Sequence, residues 1–138
     1  MWEPYTLETE EGWFLTIFRI TGVKGEKLYL KEENKDKLPI LVQHGAFDAA
    51  FGWLGYNPFT PTLPGLLAER GYDVWVANTR GSPYSNTNRR DGEWSLKERW
   101  DHDWSDYATY DTPVMVDKML EVTQKPKITI VAYSLGTA

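Results

Sequence analysis

Apolar residues first alternate with polar ones along the chain, then gather in short dense runs separated by helical spacings. Tyr5 to Glu10 reads as a short strand. Trp13 to Ile20 reads as a second, with Glu11-Gly12 turning between them, so the pattern predicts a β-hairpin. Thr16 and Arg19 interrupt the aromatic and β-branched run of that second strand. Gly22 to Lys37 is charged and turn-rich, and is expected to be a solvated connection with a short strand near Leu28-Tyr29-Leu30. Leu38 to His44 is almost continuously apolar and ends at Gly45, as expected of a strand buried on both faces of a parallel sheet.

Thr62 to Arg70 carries Leu63, Leu66 and Leu67 on one helical face, with Thr62 placed to cap the start and Gly71 at the stop. Tyr72 to Ala77 is a second buried strand. Asn78 to Trp100 is a long polar and aromatic connection, a length usually reserved for functional loops. A helix is expected from about Ser105 to Val122, with Ala108, Met115, Met119 and Val122 on one stripe and a kink or early first turn at Pro113. Lys127 to Ala132 is a third, β-branched strand. Strand, helix, strand, helix, strand after a hairpin is the order of an α/β sheet with flanking helices.

Composition narrows the class. The 138 residues suit one domain, and 15 basic against 20 acidic side chains give a net charge of -5, which argues against nucleic acid as a partner. No apolar run approaches the roughly 18 residues of a membrane-spanning helix. Aromatics make up 14%, including seven Trp, and point to a large core or an apolar binding surface. Cysteine is absent, so disulfide frameworks and thiolate sites are excluded. The start of the chain shows no secretory signal pattern, and no N-x-[S/T] glycosylation sequon occurs.

The chemistry is concentrated where the third strand ends. Ala132-Tyr133-Ser134-Leu135-Gly136 is the G-x-S-x-G nucleophile elbow with alanine as its first small residue. A sharp strand-to-helix turn there would project the Ser134 hydroxyl from the carboxyl end of the sheet. The bland alternative is a serine capping a helix. A second strand ending in His44-Gly45-Ala46-Phe47 supports the elbow, because an α/β-hydrolase builds the other half of its oxyanion hole from such a loop. The expected donors are the backbone N–H groups of Ala46 and Leu135, facing one small pocket beside Ser134. The His44 side chain is read as a satisfied structural histidine that orders the loop.

Longer segments carry a family resemblance. Glu11-Gly12-Trp13-Phe14-Leu15-Thr16-Ile17-Phe18-Arg19-Ile20 resembles the E-D-G-Y-x-L-x-x-x-R-I hairpin of the acid lipase family, the gastric and lysosomal acid lipases and their relatives. Gln43-His44-Gly45 resembles its Q-H-G loop. Gly71-Tyr72-Asp73-Val74-Trp75-Val76-Ala77-Asn78-Thr79-Arg80-Gly81 resembles its G-Y-D-V-W-x-G-N-x-R-G strand and turn, and Asp106 to Pro113 its D-E-x-x-x-Y-D-x-P helix. The resemblance implies that residues 1–138 are the N-terminal portion of an α/β-hydrolase domain acting on lipid esters without a cofactor or metal, in a lysosomal or secreted setting. It assigns Ser134 as nucleophile and places His44, Gly45, Ala46 and Leu135 at the oxyanion hole.

The elbow departs from the family's G-H-S-Q-G at Ala132, Tyr133 and Leu135. The hydrolase order is serine, acid, histidine. Only four residues follow Ser134, so the acid and base are not expected among these residues, and the chain alone is expected to be inactive. His102, between Asp101 and Asp103, is read as a helix entry with an Asp or Ser cap, since adjacent side chains cannot all converge on a metal. The alternative function is a non-catalytic lipase-like scaffold or interaction subunit. Either way the third strand is expected to leave an open edge for a C-terminal half or another protein chain to cover.

Overall fold

The hairpin is realised as β1 (Trp2–Glu8) and β2 (Trp13–Ile20) in a computed structural model describing residues 1–23, 26–27, 36–55, 61–88 and 94–137. β1 begins three residues earlier than its alternation suggests, because Trp2 pairs with Ile20 at the far end of the ladder. A small ribbon of β3 (Gly22–Val23) and β4 (Glu26–Lys27) follows. The expected strand at Leu28-Tyr29-Leu30 lies outside the described residues. The apolar runs become β5 (Pro39–Gln43), β6 (Asp73–Val76) and β8 (Thr129–Ala132), and a short β7 (Thr87–Asn88) pairs with β2. The sheet runs β1-β2-β6-β5-β8, antiparallel through the hairpin and its contact with β6, then parallel across β6, β5 and β8.

Period-two alternation sorts this sheet into two apolar faces. Leu15, Ile17, Leu41 and Trp75 face one side with Met115 and Met119. Phe18, Ile40, Val42, Val74 and Val76 face the other with Ala50 and Ala68. Helices α1 (Ala50–Leu54) and α2 (Leu63–Glu69) therefore cover one face, and α5 (Thr112–Thr123) the other. Thr62 caps α2 by accepting from the Gly65 N–H at 3.3 Å. Each fully buried Leu, Ile or Val contributes about 1.5–3 kcal/mol relative to exposure, so the two-sided burial of β5 and β6 anchors the fold.

The connection after β6 is more ordered than its polarity suggests. It holds β7, α3 (Leu96–Trp100) and α4 (Trp104–Asp106). Ser95 and Glu98 form a capping box on α3, and Asp103 and Asp106 form one on α4. A π-helical turn, Tyr107–Asp111, joins α4 to α5. Pro113 explains it: proline has no N–H for the carbonyl four residues back, and the Thr112 N–H instead reaches Tyr107 O, five residues back. The widened turn rotates Ala108 into solvent, whereas Met115 and Met119 are fully buried and Val122 packs on the core. Ala108 thus leaves the stripe that its spacing predicts.

β8 differs from the other parallel strands. Among the described residues it has a neighbour on one side only, and Ile130 is 45% exposed.

Candidate active site

β5 and β8 are parallel neighbours, so the loops at their carboxyl ends meet. Ser134 opens a 3-10 turn, Ser134–Thr137, directly after β8. Its backbone φ is +53°, a left-handed value that a serine rarely adopts. The loop after β5 holds a second such residue, Phe47, at φ +58°, with its side chain 93% exposed. Strain of this kind persists only where the surroundings enforce it, and it gathers at functional sites.

Two glycines let these loops touch. A Cβ on Gly45 would lie 2.9 Å from the Ser134 Cβ and 2.9 Å from Tyr133 Cε2. One on Gly136 would lie 2.5 Å from the His44 carbonyl oxygen and 3.1 Å from that of Gln43. The second small residue of the elbow therefore makes room for the end of β5. Ala132 pairs with Gln43 inside the ladder, where its methyl group is accommodated. Tyr133 spans the gap: its hydroxyl donates to Asp48 Oδ2, and its ring meets Trp53 edge-on at 5.1 Å.

His44 is held at both nitrogens. The Thr79 N–H can only donate, and it lies 3.2 Å from Nε2. Nε2 is therefore unprotonated, and Nδ1 carries the hydrogen that it donates to Gly45 O at 2.7 Å. Burial holds this imidazole below its ordinary pKa. Both nitrogens being engaged, His44 orders the loop that it stands in. His102 is half-buried beside the Trp100 ring, with Nε2 2.8 Å from the Tyr107 hydroxyl. Burial, then the nearby Arg80 charge, lowers its pKa as well.

A cavity of about 220 Å³ opens beside these loops, with His44, Gly45, Ala46, Phe47, Arg80 and Trp100 in its wall. Leu135 and Gly136 line a smaller one of about 10 Å³. The two share His44, Gly45, Thr79 and Tyr107. Ala46 and Leu135 thus stand at the same end of the sheet on adjoining hollows, and exposed Ser134 lies outside the walls of both. Among the described residues no three His, Asp or Glu side chains converge as a metal site, and no helix is long and apolar enough to cross a membrane.

The frame beneath is ionic, and its parts stand within the segments that carry the family resemblance, which assigns them no role. Arg80 is buried, and it donates from its backbone N to Asp111 Oδ2 at 2.8 Å and from Nε to Oδ1 at 2.9 Å. Its Nη1 reaches Glu11 at 2.7 Å. One guanidinium thereby ties the hairpin turn, the end of β6 and the π-helical turn together. Arg19 makes a second buried pair, bidentate to Asp73 at 2.8 Å. Asn78 holds Thr16 O and the Ala50 N–H, each at 2.8 Å, and so fixes α1 on the sheet. The available signal is a charged or amide residue at each edge of an apolar strand.

Comparison with known proteins agrees with this fold. Residues 39–138 match the family described as alpha/beta hydrolase fold. The chain is 35% identical over 134 residues to Lipase 1 of Drosophila melanogaster, covering 97% of this chain and 27% of that protein. It is 35% identical over 136 residues to the gastric triacylglycerol lipase of Mus musculus, covering 98% of this chain and 33% of the lipase. Among solved structures, an esterase of Pyrococcus furiosus superposes with a TM-score of 0.62 at 15% identity, over 99% of this chain and 43% of the esterase. The chain therefore spans about a third or less of the length of these curated lipases.

Proposed function

The chain belongs to the alpha/beta hydrolase fold family, and on that premise we propose that it carries the nucleophile and oxyanion half of a hydrolase of lipid carboxylic esters. The observation that carries this reading is Ser134, held at φ +53° at the end of β8 and packed against Gly45. In this reading the Ser134 Oγ attacks the ester carbonyl carbon and gives its proton to a general base. The carbonyl electron pair moves onto oxygen, where the N–H groups of Ala46 and Leu135 stabilise it. Collapse of that intermediate expels the alcohol, which leaves with a proton, and water then releases the acid from the acyl-serine. The base is not His44, whose two nitrogens are both committed. His102 is engaged with Tyr107. We assign the base and its carboxylate partner to polypeptide beyond these residues, which would also cover the β8 edge.

The commitment of both histidines favours a second reading, a lipase-like scaffold or interaction chain without chemistry. A short-chain chromogenic ester separates the two. The complete polypeptide carrying this segment should turn it over and lose that activity on Ser134→Ala, while residues 1–138 alone should show none above background. Serine-dependent turnover by the short chain would return His102 to consideration as the base. A complete polypeptide that is folded but inert would favour the scaffold.

A further inference from the structure

Two strained residues flank the site, and each stands next to one partner of a single hydrogen bond. Phe47, at φ +58°, precedes Asp48, and Ser134, at φ +53°, follows Tyr133. The Tyr133 hydroxyl donates to Asp48 Oδ2 across 85 residues of chain. Asp48 is itself fixed, because its Oδ1 accepts from the Ala49 N–H at 2.8 Å. Its carboxylate occupies the space that a side chain at Gly52 would need. Tyr133 is held between the Gly45 backbone and the Trp53 ring, the latter at 5.1 Å. Asp48 is thus anchored within its own segment and Tyr133 against Gly45 and α1, and the bond joins the loop after β5 to the turn after β8. Left-handed backbone at a bulky aromatic such as Phe47 relaxes unless its surroundings hold it.

We infer that Tyr133 and Asp48 are a positioning clasp, which holds the Ala46–Phe47 backbone in register with Ser134. The inference rests on the proposed roles of Ser134 and the Ala46 N–H. It gives a function to Tyr133, the residue at which this elbow departs most from the G-H-S-Q-G pattern. Neither clasp residue touches the reacting atoms. Its effect is exerted through the placement of the oxyanion donor, which matters in the transition state and little in substrate binding.

The test compares Tyr133→Phe, Asp48→Asn, the double variant and Ser134→Ala in the complete polypeptide. Two readouts are taken: kcat and KM on a short-chain chromogenic ester, and amide hydrogen exchange at Phe47 and Asp48. Each single clasp variant should lower kcat about 10–100-fold with KM within about twofold, the size expected of a slightly misplaced donor. The double variant should be no worse than either single, because one interaction is removed. Exchange at Phe47 and Asp48 should quicken in all three while the strands β5 and β6 keep their protection. Unchanged kcat, a rise confined to KM, or additive losses would overturn the clasp. Turnover that survives Ser134→Ala, or none in the parent, removes the catalytic reading instead. Exchange then decides alone, and unchanged protection at Phe47 in Tyr133→Phe overturns the clasp.

Discussion

Arg80 and Asp111 meet through two hydrogen bonds of 2.8 and 2.9 Å, one from the Arg80 backbone and one from its guanidinium. Asp111 owes its inward position to the π-helical turn that Pro113 imposes, and Arg80 owes its position to the tight turn after β6. The same guanidinium sits 5.3 Å over the Trp13 ring and 5.5 Å from that of Tyr110. Charge, aromatic face and backbone donor converge there, directly behind the wall of the larger cavity that Arg80 lines.

That burial has a pH signature. Desolvation raises the Asp111 carboxyl from 3.8 to about 6, against the opposing pull of Arg80. The folded chain therefore binds this proton more tightly than the unfolded chain. The resulting stability is fully present below pH 3.8 and is lost as the pH rises through about 6. His44 acts in the opposite sense: its lowered pKa gives stability that is present above pH 6.5 and lost as the pH falls below it. Comparison with Asp111→Asn cancels the histidine contributions. Urea unfolding between pH 7 and pH 4 should show wild type gaining on Asp111→Asn as the pH is lowered. A gap that widens toward pH 7 would mean that Arg80 keeps Asp111 ionised throughout.

Glycines in this fold serve two distinct needs, which substitution can separate. Gly71 has φ +90°, and a Cβ there would have nothing within 4 Å, so Gly71→Ala meets only backbone strain after α2. A side chain at Gly136 instead meets the carbonyl oxygens of His44 and Gln43, at 2.5 and 3.1 Å, and backbone cannot swing aside as a flexible side chain can. Gly136→Ala should cost about 1–3 kcal/mol, the range of overpacking. It should also quicken amide exchange across Gly45–Phe47, whereas Gly71→Ala leaves that loop unchanged. Equal exchange at the loop in both variants would show that the approach of the elbow to β5 is not tight.

The sequence is most legible where one physical demand dominates a segment. Continuous apolar runs mark β5 and β6 because both faces of these strands are buried, and Thr62 and Gly71 mark the ends of α2 because caps are local chemistry. Ala108 misleads because helical spacing assumes an unbroken α-helix, and Pro113 forces a wider turn just before it. α1 escapes notice since Ala50–Leu54 is too short to show a period. The roles of Arg80, Asp111 and Asn78 depend on partners 28 to 69 residues away, and these pairings are not encoded by any local pattern. His44 reads from sequence as a satisfied structural residue, and its two hydrogen bonds give that reading its atomic form. Tyr133 stands out in sequence only as a departure from a motif, because its partner Asp48 lies 85 residues earlier.

β8 is an edge strand of the sheet among the described residues. Its register with β5 runs from Thr129 opposite Ile40 to Ala132 opposite Gln43, and among the described residues nothing pairs with its other side. Ile130 is 45% exposed there, while Leu41 beside it is fully buried. An apolar edge with unpaired backbone groups invites pairing with another strand. β6 is the internal control, since β2 and β5 flank it on both sides. In residues 1–138 expressed alone, amides of Thr129 to Ala132 should exchange much faster than those of Val74 to Val76, and the protein should associate as its concentration rises. In the complete polypeptide the β8 amides should slow toward the β6 rates, because another strand or covering element would take the open side. A soluble monomer of the short chain with slow exchange throughout β8 would show that the segment closes its own sheet, and that no further polypeptide is needed at this edge.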